Sequence, residues 1–166
     1  METDFHDGEV VLVSRIGQFS GQYQRGDPMV IKFPGDPDHK KYIKRLIGLP
    51  GETLTIKDNE VYINGQKLTE TYIRPVAEEY LPGWYETEAL DAEAKLLHSQ
   101  GKVMTEPDMT VKLGPDDYFF MGDNRENSND SRVWYPASKS DIIGPVRFIL
   151  YPFKYWGPVV NPYYGS

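Results

Sequence analysis

The sequence predicts a mostly-β domain carrying a small helix-containing insert. Three observations lead there. Short runs rich in Val, Ile, Tyr, Phe and Met alternate with clusters of Gly, Pro, Asn and Asp along most of the chain. Only residues 87–100 carry helical patterning. The 166 residues, 39% hydrophobic and 13% aromatic, suffice for one core with a minor appendage and argue against disorder.

Taken in order, GEVVLV at residues 8–13 is a short apolar strand behind a turn signal. Residues 15–27 read as a polar, glycine-bearing loop, and PMVIKF at 28–33 as the second strand. Dense turn chemistry at 34–38 leads into a third strand, residues 41–47, which Gly48, Pro50 and Gly51 end. Pro50-Gly51 suits the centre of a type II turn, because Pro sets the first φ and Gly accepts the positive second one. Residues 53–56 and 60–63 follow as strands, and Asn64-Gly65 is the preferred pair for a type I′ hairpin turn. With residues 66–68 returning, these strands make a β-meander. In 87–100, acidic residues come early, Lys95 and His98 late, and Gly101 stands where a helix ends. Residues 103–111 read as extended. YFFM at 118–121 and IIGPVRFILY at 142–151 are the last strands, with Gly144-Pro145 bending the start of the second. The chain thus divides into a β domain over 1–76 and 111–152, an inserted α/β appendage over 77–110, and an aromatic-rich tail over 153–166.

A net charge of −7 argues against nucleic acid as the main partner, since phosphate contacts need clustered Lys and Arg. The chain has no cysteine, and its three histidines, His6, His39 and His98, are far apart in sequence without ligand spacing. No metal and no cofactor are therefore expected. No apolar run approaches the ~18 residues of a membrane span, and no signal-peptide pattern is visible.

Two stretches carry chemistry. The first is KYIKRLIGLPGE, residues 41–52. Side chains alternate along a strand, so Tyr42, Lys44 and Leu46 share one face and Ile43, Arg45 and Ile47 the other. Both faces are mainly apolar, which marks an interior strand. Lys44 then either snorkels to water or has its pKa lowered by lost hydration. The second is GDNRENSNDSR, residues 122–132, without one apolar side chain. It reads as a solvated, self-bonded loop or as a polar cluster pinned between apolar flanks. Its anchorage on a strongly apolar strand, its aromatic flanks, and the Asp130/Arg132 pair with hydroxyls at Ser128 and Ser131 favour the cluster. Such a cluster holds an ion pair and presents a hydroxyl to a neighbouring amine, which favours the dehydrated reading of Lys44.

KYIKRLIGLPGE together with MGDNRENSNDSR at 121–132 resembles the bacterial type I signal peptidase family. RGDPMVIKFP at 25–34 and GPV at 144–146 fit the same pattern. The resemblance covers most of residues 8–76 and 115–152. It implies a β-sheet/barrel fold and hydrolysis of signal peptides from exported preproteins by a Ser/Lys dyad. By that resemblance Lys44 is the general base, Ser128 orients its amine, and Asp130 with Arg132 fixes the loop, supported by Asp123 and Asn124. The family's nucleophilic serine lies in a Ser-Met-x-Pro-Thr-Leu pattern. Met1 falls on its Met, Thr3-Asp4 replace Pro-Thr, and Phe5 replaces Leu, so the serine is expected directly before Met1. The chain as written is then expected to be inactive, and Ser14 and Ser20 sit outside the pattern. The transmembrane anchor and an oxyanion-hole residue are expected upstream too, on a protein at the extracytoplasmic face of the cytoplasmic membrane.

The implied substrate carries small side chains at alternate positions, Ala-x-Ala-like. Ile43, Val30 and Ile31 are candidates to line its pockets, with ordinary core packing as their other reading. The aromatic tail either meets the membrane surface or packs back on the sheet. Two competing classes remain: a non-catalytic scaffold or substrate-binding factor of the same fold, and a self-cleaving Ser/Lys module of the LexA type. Both long motifs fit the second less well, and no DNA-binding helices precede the β region.

Overall fold

A computed structural model describes residues 5, 8–17, 22–34, 38, 40–73, 109–125 and 128–161. Eleven β-strands lie among them: β1 (Val10–Val13), β2 (Pro28–Lys32), β3 (Lys41–Gly48), β4 (Thr53–Lys57), β5 (Glu60–Ile63), β6 (Gln66–Lys67), β7 (Met109–Lys112), β8 (Asp117–Met121), β9 (Ala137–Ser138), β10 (Ile142–Tyr151) and β11 (Gly157–Pro158). They form two antiparallel sheets. The larger runs β1-β10-β2-β3-β8-β9, with β11 beside β10; the smaller runs β6-β5-β4-β7. Among the described residues β1 and β9, the two ends of the larger sheet, do not pair. The sheets are therefore open, and the barrel alternative is corrected to two sheets. β9, only two residues long, leaves little edge with which to close one.

The alternation read from the sequence decides which core each strand feeds. Leu46 of β3 and Tyr118 and Phe120 of β8 enter one core with Met29, Ile31, Phe33 and Trp134. Their neighbours in sequence, Ile47, Phe119 and Met121, enter a second core beneath the smaller sheet with Leu54, Val61 and Val111. The two cores thus meet on β3 and β8. A third cluster, Phe5, Val30 and Val146, with Ile43 packed against it, covers the side nearer β1.

The turns follow their chemistry. Asn64 and Gly65 have φ values of 51° and 81°, the left-handed pair of a type I′ hairpin, and Gly51 at 81° completes the turn after β3. β10 carries a register shift between Ile142 and Gly144 while it is paired with β2, the expected bend.

Three expectations need qualification. The helical stretch at 87–100 lies outside the described residues. Met109 and Thr110, assigned to the appendage, begin β7 and pair with Ile56 and Thr55 of β4. Of the aromatic tail, residues 153–161 are described, and they pack back on the sheet. Its backbone packs back, with β11 on β10 and the Trp156 ring edge-on to Phe148 at 5.2 Å. Phe153 is nevertheless 80% and Trp156 61% exposed.

Candidate active site

β3 is an interior strand, hydrogen-bonded to β2 on one side and β8 on the other. Lys44 lies opposite Met29, is only 7% exposed, and its Nζ sits 5.8 Å from the centroid of the Tyr42 ring. Nζ donates a hydrogen bond to Ser128 Oγ at 2.8 Å across a separation of 84 residues. Burial lowers the Lys44 pKa from its ordinary value and is the largest effect. The Asp130 carboxylate pulls it back up, the Arg132 guanidinium pushes it down, and Asp123 raises it again. Desolvation prevails because an ammonium here has exchanged water for apolar walls.

Ser128 is held by the loop that follows β8. Asp130, fully buried, accepts from Arg132 Nε at 2.9 Å and Nη2 at 3.0 Å and from the Gly122 amide at 2.8 Å. Burial pushes its carboxyl up, but the charge and hydrogen bonds of Arg132, with smaller help from the Lys44 charge and the Gly122 amide, together outweigh that, and the net shift is downward. Asp130 therefore already has a cation, and Lys44 need not stay charged to serve it. Ser131 is tied to the end of β8 in both directions: its amide donates to Phe120 O at 3.0 Å, and its hydroxyl accepts from Phe120 N at 3.0 Å. Gly122 is there because nothing larger fits. A Cβ at that position would stand 2.2 Å from Ser128 Oγ and 2.7 Å from Ser128 Cβ.

Arg45, on the opposite pleat from Lys44, grips the same loop. Its Nε donates to Asp123 Oδ1 at 2.7 Å and its Nη2 to Asp123 Oδ2 at 2.5 Å, while Nη1 reaches Gly26 O at 2.8 Å. Both side chains are buried, and the Tyr72 ring covers the guanidinium at 4.2 Å. Asn124 sits half-buried in the loop between Asp123 and Arg125.

The structure thus gathers Lys44, Ser128, Asp123, Asn124, Asp130 and Arg132 around the end of β8. Val30 and Ile43 lie opposite each other across β2 and β3, on the pleat away from Lys44 and in the cluster that holds Phe5. Ile31 does not join them. It is fully enclosed in the first core and offers no surface to a peptide, because alternation turns it inward beside Met29. Sequence reasoning assigned no role to Arg45. The available signal was a guanidinium on an apolar face of an interior strand, which demands a buried counter-charge.

A family model described as signal peptidase, peptidase S26, matches residues 1–151. A signal peptidase I of Bacillus licheniformis is 36% identical over 155 residues, 93% of this chain and 73% of that protein. Signal peptidase I T of Bacillus subtilis (strain 168) is 36% identical over 155 residues, 93% of this chain and 70% of that protein. A crystal structure of a signal peptidase I from Enterococcus faecalis V583 superposes with a TM-score of 0.50 at 27% identity, covering 75% of this chain and 96% of that one. On this match the chain belongs to the signal peptidase family, peptidase S26.

Proposed function

We propose that this domain is the catalytic part of a type I signal peptidase, hydrolysing signal peptides from exported preproteins through a Ser/Lys dyad. One observation carries the chemistry: a buried amine, its pKa lowered by dehydration, is oriented by the Ser128 hydroxyl at 2.8 Å. A free lysine titrates near ~10.4 and is almost never a base at neutral pH. With one N–H committed to Ser128, neutral Lys44 has a lone pair of fixed direction. It takes the proton from the attacking serine hydroxyl as the oxygen bonds to the scissile carbonyl. The tetrahedral intermediate collapses as the same proton passes to the leaving amine, giving an acyl-enzyme ester. Lys44 then deprotonates a water molecule that hydrolyses the ester, and the proton returns to the serine oxygen.

In this reading the attacking serine directly precedes Met1. Phe5 is buried against Val30 and Val146, beside β2. Val30 and half-buried Ile43 supply apolar surface for small side chains of the preprotein.

The proposed setting is the extracytoplasmic face of the cytoplasmic membrane. Among the described residues no helix is long and apolar enough to cross a membrane. The support is a surface. Val10 and Leu12 of the edge strand β1, Tyr151 of β10, and Phe153 and Trp156 are all exposed, and Val10 pairs with Tyr151. An edge of outward apolar side chains and amphipathic rings suits a lipid interface.

The test is a chain carrying a serine before Met1, assayed on a peptide with an Ala-x-Ala site. Cleavage is expected, and Lys44→Ala is expected to lower its rate by at least about 100-fold with the circular dichroism spectrum intact. Undiminished cleavage by Lys44→Ala would reject the dyad.

A further inference from the structure

We propose that Glu70 and Tyr72 are positioning residues of this site: from the side of the smaller sheet they hold the 122–132 loop in the placement that brings Ser128 to Lys44. The inference rests on the reading of Lys44 as base.

Several contacts among the described residues of that loop are internal. Asp130 binds Arg132 and the Gly122 amide, Arg132 Nη2 donates to Arg125 O at 2.7 Å, and Arg125 Nε donates to Gly122 O at 3.1 Å. Such ties stiffen the loop without fixing it relative to β3. Besides the Lys44–Ser128 bond itself, ties from the described residues of the loop to the rest of the fold include the following. Ser131 ties the returning arm to β8. Arg45 ties the departing arm at Asp123. The third is the pair between Arg125 and Glu70, 55 residues apart in sequence, in which Arg125 Nη1 donates to Oε2 at 3.0 Å and Nη2 donates to Oε1.

Glu70 is built for this contact rather than caught in it. Its side chain is 7% exposed, and Oε1 also accepts from Tyr72 Oη at 2.6 Å. A nearly buried carboxylate with both oxygens engaged has few alternative rotamers. Tyr72 packs against the second core and lays its ring over the Arg45 guanidinium. Two residues just beyond β6 therefore touch both external ties of the departing arm, one through Arg125 and one through Arg45. Gly122 lies between these ties, its carbonyl held by Arg125 and its amide by Asp130, and Ser128 packs against its bare Cα. Loosening Arg125 frees the Gly122 peptide on one side, and Ser128 loses the surface that sets its distance from Lys44.

The test is NMR on the chain labelled with 15N and with 13Cε in lysine, comparing wild type with Glu70→Gln and Tyr72→Phe. Gln keeps the size of Glu70 and removes its charge; Phe keeps the Tyr72 ring and removes its hydroxyl. In Glu70→Gln the Gly122 amide is expected to exchange with deuterium about tenfold faster, as one charge-assisted tie is weakened. The Leu46 amide, bonded to Asp27 O at 3.0 Å within the sheet region, is expected to keep its rate. The Lys44 titration is expected to move up, as water gains access to the amine. Tyr72→Phe should shift both readouts the same way by less, and it decides the matter if Glu70→Gln fails to fold. Unchanged Gly122 exchange and unchanged Lys44 titration in a folded variant would overturn the proposal. Should wild-type Lys44 titrate at its ordinary value, the base reading falls, while Gly122 exchange still decides the positioning role.

Discussion

Replacing Asp123 with Ala leaves the Arg45 guanidinium buried without its counter-ion. The two bonds lost, at 2.7 and 2.5 Å, join side chains that are 2% and 0% exposed, so solvent cannot replace them. Breaking such a pair from one side costs about 3–5 kcal/mol. The bond to Gly26 O and the Tyr72 ring remain, which favours the lower half of that range. That loss is a large part of the ~5–15 kcal/mol that a domain has, and with a urea slope of about 2 kcal/mol per molar the unfolding midpoint should fall by roughly 1.5–2 M. The double replacement Arg45→Met with Asp123→Leu removes both charges and should cost less than Asp123→Ala alone. Urea denaturation followed by tryptophan fluorescence reads all three. A midpoint shift below about 0.5 M for Asp123→Ala, or a double variant less stable than the single one, would refute the claim of a dry, mutually dependent pair.

Lys44→Met should raise stability at pH 7. The folded-state pKa of Lys44 is below its ordinary 10.5, so between those two values the unfolded chain binds a proton that the folded chain does not, and wild-type stability rises with pH. The advantage of Met, about 1.4 kcal/mol per unit of depression, is full below the folded pKa and fades as pH approaches 10.5; melting at pH 7, 9 and 10.5 measures it, and a pH-independent difference contradicts it. Gly122→Ala forces Ser128 Oγ back by about 1.2 Å to reach an ordinary 3.4 Å contact. The distances among the new Cβ, Oγ and Nζ make that retreat nearly perpendicular to the Lys44 bond, which lengthens only to about 3.0 Å while turning off line. The expectation is an overpacking cost of about 1–3 kcal/mol and, in a serine-extended chain, a rate loss of up to about 100-fold from misplacement; an unchanged rate speaks against Ser128 as orienter. Phe153→Ser with Trp156→Ser should weaken sedimentation with zwitterionic phospholipid vesicles while leaving the melting temperature within a few degrees, because both rings are largely exposed; equal sedimentation removes the membrane face.

Most strands were legible because turn residues bracket them: β3 stops where Pro50-Gly51 demands it, and Asn64-Gly65 places the hairpin between β5 and β6. The division of β3 between two cores was legible too, since period-two alternation sends Leu46 and Ile47 to opposite sides. Closure was not. Whether a sheet becomes a barrel depends on pairings distant in sequence, and β9, two residues that no pattern marks, ends the larger sheet. Lys44 and Ser128 stood out as motif residues, yet only the folded sheet brings groups 84 residues apart to 2.8 Å. Ile31 and Val30 show the limit of composition. Both are apolar neighbours on one strand, and a single step of pleat separates a sealed core from the cluster around Phe5. Glu70 and Arg125 gave no local sign, because an ion pair spanning 55 residues leaves no periodicity.

Adjacent basic residues on β3 address one loop with opposite electrical requirements. The first is dehydrated toward neutrality beside a hydroxyl; the second must remain a cation against a carboxylate. A slip of one place against β8 would bring either Arg45 to the place of Lys44 or Lys44 to the place of Arg45, setting in the one case a permanent guanidinium against the serine and in the other an ammonium with a single point of charge against a two-pronged acid. Neither substitute can do the other's task. The strand's alignment is therefore checked by chemistry as well as by packing, and a misaligned form would be both less stable and unable to withdraw a proton.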